Sequence, residues 1–188
     1  MVHFIGAGPG AADLITVRGA ELLRNADVVI YAGSLVNPAA LECVKPGCEL
    51  HNSAVMTLEE VLNVMEAANR AGKDVARLHS GDPCLYGAVR EQMDALDLRG
   101  IAWDMTPGVS SFCGAAAALG AEYTLPGVSQ SVILTRLPGR TPVLPCWTPP
   151  ECVRRLWNVC LTRRNAVWNA ASVIAWGRSC SQIGRAHV

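Results

Sequence analysis

Three times within its first 112 residues the chain runs from a short apolar stretch into a glycine-bearing loop and then into a helical pattern. VHFI at 2–5 enters GAGPGAAD at 6–13, VARL at 75–78 enters HSGDPCLYG at 79–87, and IAWDM at 101–105 enters TPGVSSF at 106–112. Short, β-branched, apolar runs suit strands buried on both faces, as in parallel sheets. Parallel strands need long crossovers, and helices supply them here. Residues 16–25, TVRGAELLRN, carry apolar residues at 17, 20 and 23, and DVVIY at 27–31 reads as a second strand. The clearest helix is TLEEVLNVMEAANRAGKD, 57–74: Thr57 and Glu60 have capping-box spacing, Leu58, Val61, Leu62 and Met65 share a face, and Gly72 is a stop. Helices are also predicted over 85–96 and 110–119. The alternation predicts an α/β fold with a mostly parallel sheet.

In open α/β sheets, ligands gather beyond the carboxyl ends of the strands. The three loops occupy such positions, and that coincidence says more than any one motif. GAGPG is a poor dinucleotide fingerprint. Ala11 stands where the third glycine belongs, Pro9 removes a backbone donor, and no acid ends the second strand. In GDPCLYG, Asp82 either caps the following helix or faces a ligand donor. Tyr86 offers a flat amphipathic face, or is a core tyrosine. Cys84 reads as a small filler sooner than a nucleophile. Ser110 and Ser111 begin a helix where free backbone donors suit a carboxylate or a ribose, with Ser110 alternatively a plain cap. The four histidines are scattered without ligand spacing, so no metal site is predicted. Neither a P-loop nor a hydrolase elbow is present in the sequence.

The zero net charge hides a break. Residues 1–130 hold fifteen acids and eight lysines or arginines; residues 131–188 hold one acid, Glu151, and eight arginines. Four of the five tryptophans follow residue 146, and LPGRTPVLPCWTPPE carries five prolines. These shifts predict an N-terminal domain over 1–119, a linker over 120–130 and an atypical or truncated second domain over 131–188. Beyond the proline-rich stretch, helix is expected in parts. With no basic leader and no long apolar run, a reduced, cytoplasmic protein is expected, with neither nucleic acid nor membrane as partner.

The run VHFIGAGPGAADLITVRGAELLRNADVVIYAGSLVNP resembles the tetrapyrrole methylases, the class III S-adenosylmethionine-dependent methyltransferases. LHSGDPCLYG and TPGVSSFCGAAAALG look like the second and third signatures of that family. GAADLIT, YAGSLVN and TRLPGRTPV are most similar to its members that methylate carbon 11 of precorrin-4 or cobalt-precorrin-4, in cobalamin biosynthesis. The resemblance covers roughly residues 1–145. It implies a homodimer of two-domain chains, with S-adenosylmethionine as cofactor. Gly81, Asp82, Pro83, Leu85, Tyr86 and Gly87, with Ser110, Ser111 and Phe112, would bind that cofactor. Gly8, Pro9 and Gly10, with Arg18 and Arg136, would face the macrocycle, and Arg140 is a further candidate. Asp13 and Asp104 are the candidates for a proton-accepting role. Cys84 stands where serine is expected. The tail after about residue 145 does not follow the family pattern. The expectation there is a frameshifted or misassembled end, with a non-catalytic protein that only binds tetrapyrrole or a partner subunit as the alternative function.

Overall fold

A computed structural model describes residues 1–124, 126, 127, 130–135 and 172–176. By compactness the chain divides into two units, Met1–Gly114 and Ala115–Val188. The first is built on a five-stranded parallel sheet formed by β1 (Val2–Gly6), β2 (Val28–Tyr31), β3 (Glu49–Asn52), β4 (Val75–His79) and β5 (Trp103–Thr106). The spatial order is β3-β2-β4-β1-β5. Central β1 and β4 are buried along their whole lengths, as their unbroken apolar runs require. The edge strand β3, with sequence ELHN, is largely exposed. It has no apolar alternation and was not predicted; its pairing with β2 defines it.

Helices cover both faces. On one side Val2, Phe4, Val28, Ile30 and Val75 meet Val61, Leu62 and Met65 of α2 (Leu58–Arg70) and Met93 and Leu96 of α3 (Arg90–Leu98). On the other, Ile5, Val29, Ala76 and Leu78 meet Leu23 of α1 (Val17–Asn25). Thr16 caps α1, accepting from the Gly19 amide at 3.2 Å. A Cβ on Gly19 would stand 3.0 Å from Ile5 Cγ2, so this glycine lets helix and sheet approach closely. Val17, expected on the buried face, is instead 77% exposed because the helix turns Gly19, Ala20 and Leu23 inward. The capping box of α2 forms as expected, but Leu58, in its first turn, is exposed.

The helix predicted from residue 85 begins five residues later, at Arg90. Tyr86 (φ 58°) and Ala88 (φ 49°) lie in the left-handed region and interrupt a right-handed helix. A Cβ on Gly87 would lie 2.2 Å from the Pro83 carbonyl oxygen, so the loop folds back on itself. The last predicted helix forms as α4 (Ser111–Leu119). In the second unit, β6 (Ser131–Thr135) pairs antiparallel with β7 (Ser172–Trp176). The latter falls in the stretch expected to be partly helical. β-Branched Val173 and Ile174 favour the extended state. The rest of that stretch lies outside the described residues.

The strand order also fixes where a site can form. The β1–β2 connection leaves to one side across one face, and the β4–β5 connection leaves to the other side across the opposite face. The switch point therefore falls between β1 and β4, at their carboxyl ends.

Candidate ligand-binding edge

At the switch point the loops do not splay apart. They are stitched together. Ala7 N–H donates to the His79 carbonyl at 2.7 Å, Gly8 N–H to the Gly81 carbonyl at 3.2 Å, and Gly81 N–H back to the Gly8 carbonyl at 2.8 Å. The loop after β5 joins at a crossing of backbones. A Cβ on Gly108 would lie 2.1 Å from the Gly81 carbonyl oxygen and 2.7 Å from Gly6 Cα; one on Gly6 would lie 2.5 Å from Gly108 Cα. No side chain fits at Gly6 or Gly108, because each neighbour is main chain. Asp82 spans the junction. One carboxylate oxygen accepts from the Cys84 amide at 2.7 Å, the other from the Gly108 amide at 3.0 Å. It does not cap α3, which starts eight residues further on.

Several predicted residues converge on this crossing. Pro83 is fully buried beneath the loop, while Leu85 and Tyr86 stand out from it, Tyr86 being 56% exposed. A left-handed tyrosine stores backbone strain, a feature that concentrates at ligand sites. A Cβ on Gly81 would lie 3.5 Å from the Ser111 amide nitrogen, so the GDP loop passes over the start of α4. Ser110 precedes α4, and its carbonyl accepts from Gly114 at 3.1 Å; Phe112, in the first turn, is partly buried. Pro9 reaches the same helix: a Cβ on Gly114 would come within 2.7 Å of the Pro9 ring. Gly8 (φ 79°) and Gly10 (φ 127°) both need glycine's conformational freedom, and a Cβ on Gly10 would point into open space.

Other candidates are not brought there. Asp104 sits opposite His3, near the amino ends of the strands, and pairs with His3 Nδ1 at 2.8 Å. Two strand residues, Met105 and Thr106, separate it from the loop that carries Gly108. Asp13, in a single 3-10 turn at Ala12–Leu14, and Arg18, in the first turn of α1, are exposed on the α1 side. Arg136 and Arg140 lie outside the described residues.

Two features had no motif to announce them. Asn37, after β2, donates from Nδ2 to the Gly10 carbonyl at 2.6 Å and accepts from the Ala39 amide at 3.0 Å. A fourth carboxyl-edge loop therefore supports the first; the Asn-Pro pair at 37–38 was its only sequence signal. Beneath the GDP loop, β4 carries two buried basic side chains. Arg77 donates to Gln92 Oε1 at 3.1 Å, Ser53 Oγ at 2.9 Å and the Ile30 carbonyl at 3.4 Å. Burial lowers it to about 10. His79 is 5% exposed, packs against Phe4 with ring centroids 6.1 Å apart, and leaves Nε2 without a hydrogen-bond partner. Burial, and then the Arg77 charge, lower its pKa to about 3, so the ring is neutral. Among the described residues no cluster of three or more His, Cys, Asp or Glu could hold a metal ion, and no helix is long and apolar enough to cross a membrane.

Glycine backbones in close approach, an exposed aromatic face and a helix start form one wall suited to a ligand bearing a flat ring and polar groups. Comparison with known proteins narrows the ligand class. Residues 1–158 match the sequence model of the Tetrapyrrole (Corrin/Porphyrin) Methylases, beyond the limit near residue 145 set by the motifs. The chain is 54% identical over 142 residues to the cobalt-precorrin-4 C(11)-methyltransferase of Methanocaldococcus jannaschii, covering 76% of this chain and 55% of that protein. It is 53% identical over 144 residues to the precorrin-4 C(11)-methyltransferase of a Sinorhizobium species, covering 77% and 57%. The chain thus spans little more than half the length of these relatives. The X-ray structure of a cobalt precorrin-4 methyltransferase, a cobalamin biosynthetic enzyme, superposes with a TM-score of 0.76 at 37% identity, covering 94% of this chain and 84% of that one.

Proposed function

The chain belongs to the tetrapyrrole (corrin/porphyrin) methylase family, and from that premise we propose that it transfers a methyl group from S-adenosylmethionine to carbon 11 of precorrin-4 or cobalt-precorrin-4. One observation carries the reading: more than half of the residues are identical to C(11)-methyltransferases over about three quarters of the chain. Relatives named for the cobalt-bearing and for the metal-free substrate are about equally similar to this chain, at 54% and 53% identity, so both substrates stay within the proposal.

When bound, S-adenosylmethionine supplies an electrophilic sulfonium methyl that carries its own leaving group. The protein's task is then mostly to hold two reactants in line, and positioning of that kind supplies about 7–11 kcal/mol. In this reading Gly81, Pro83, Leu85, Tyr86 and Gly87 form the cofactor wall. Tyr86 offers its ring face, and Ser110, Ser111 and Phe112 add the polar start of α4. Gly8, Pro9 and Gly10 shape the macrocycle side, where Asn37 fixes the Gly10 carbonyl. Arg18, exposed in the first turn of α1, and Arg136 are proposed from the motif alone to meet substrate carboxylates. Asp13, exposed beside the first loop, is the stronger candidate to accept a proton; Asp104 is held by His3 instead. A cytoplasmic homodimer completes the proposal.

The test is calorimetric titration of the full chain with S-adenosylhomocysteine, followed by a methylation assay on precorrin-4 and its cobalt form. One-to-one binding with methylated product is the expected result. Binding without product supports the alternative of a non-catalytic tetrapyrrole-binding protein. A chain folded by circular dichroism that binds nothing removes the methyltransferase reading.

A further inference from the structure

We infer that Asp82 is a positioning residue that locks the loop after β5 onto the GDP loop, rather than a group that contacts the cofactor. The inference rests on the methyltransferase reading only for which ligand the locked loops receive. The carboxylate has two oxygens, and each accepts a main-chain N–H: Cys84 at 2.7 Å, within its own loop, and Gly108 at 3.0 Å, across the junction. Charge-assisted bonds to backbone amides are short and strong.

The junction needs such a lock. Gly6, Gly81 and Gly108 cross with their backbones in contact, and glycine is the residue that loses most conformational entropy on ordering. The atoms nearest these three glycines are all main chain, so hydrogen bonds carry much of what holds the crossing. Gly8 and Gly81 exchange two hydrogen bonds that fix the first loop to the second. The Asp82–Gly108 bond crosses from the second loop to the third. Losing it frees the segment that leads through Ser110 into α4, whose Ser111 amide lies under Gly81. The cofactor wall would then form only on binding, and affinity would fall by the cost of ordering it.

Asparagine at position 82 has one acceptor oxygen for two donors, with nearly unchanged shape. In the full chain, Asp82→Asn is expected to exchange its Gly108 amide at least about tenfold faster, measured by NMR without ligand. It should bind S-adenosylhomocysteine at least about tenfold more weakly, with a melting temperature within about 2 °C of the parent. Saturating S-adenosylhomocysteine should restore slow exchange at Gly108. If affinity falls while ligand-free exchange at Gly108 is unchanged, Asp82 is a direct ligand and the inference is overturned. Faster exchange with unchanged affinity overturns it equally, since the lock would then have no bearing on binding. Asp82→Glu, which keeps both oxygens but displaces them by one methylene, serves if the asparagine variant does not fold, with the same two criteria. Should the parent chain itself bind no S-adenosylhomocysteine, the methyltransferase reading fails, and ligand-free exchange at Gly108 still decides whether the lock exists.

Discussion

At the end of β4, the His79 ring is buried with Nε2 unpaired, two residues along the strand from the buried Arg77 guanidinium. Burial penalises the charged ring most, and protonation would also place a second cation in the same layer as Arg77, so its pKa is lowered to about 3. The consequence for stability has a definite sign. The unfolded histidine titrates near 6.5, so between there and pH 3 the unfolded chain binds more protons and stability falls as pH falls. The His79 contribution is on the order of 5 kcal/mol across that window. Asp27, Glu49 and Glu60, whose carboxyls are held below their usual range by Lys45, Lys73 and Thr57 respectively, act in the same direction. His79→Leu isolates the histidine term. Urea unfolding from pH 8 down to 4 should show a variant at least as stable as the parent at pH 8 and with a shallower decline below pH 6.5. An equally steep decline would mean that the ring is hydrated in solution. No motif or spacing marked this group in the sequence. VARLH reads as one more buried strand, and only the close approach of Phe4 and the neighbouring layer makes the last residue an unpaired one.

Among the elements, α2 shows local sequence acting unaided. Thr57 Oγ1 accepts from the Glu60 amide at 3.3 Å, and the Glu60 carboxylate accepts from the Thr57 amide at 2.6 Å. Both bonds lie within four residues, so spacing alone predicted them. Thr57→Ala should cost about 1 kcal/mol, measured as a lower urea midpoint with an unchanged slope. The region ahead of α3 shows the opposite case. The sequence reading starts the helix at residue 85, yet Tyr86 and Ala88 adopt positive φ. Asp82 is engaged with Cys84 and Gly108, and Gly87 lies against Pro83, so the loop is closed by contacts that helix propensity does not register. Edge strand β3 was equally silent. Its four residues, ELHN, acquire strand geometry from β2 alongside.

For the first unit as a whole, burial sets a gradient across the sheet. β1 and β4 are buried throughout and paired on both sides, whereas β3 is exposed and paired on one. Hydrogen exchange should therefore be slowest at Phe4, Ile5, Ala76 and Arg77. It should be at least about a hundredfold faster at the β3 amides; uniform protection across the five strands would contradict this ordering. The sequence by itself determined the parallel α/β class, the buried strands, the caps and the three loops that matter, because those follow from local runs of apolar residues and from glycine and proline within a few positions. Asp104 and Asp82 mark where it stopped. Both are acids near predicted loops, and nothing local separates them. Strand register placed Asp104 against His3 near the amino end of the sheet, and the strand order β3-β2-β4-β1-β5 brought Asp82 to Gly108 across twenty-six residues of chain. Which backbones touch, and therefore which carboxylate holds a loop and which holds a histidine, depends on contacts between segments far apart in sequence, and only the tertiary structure decides those.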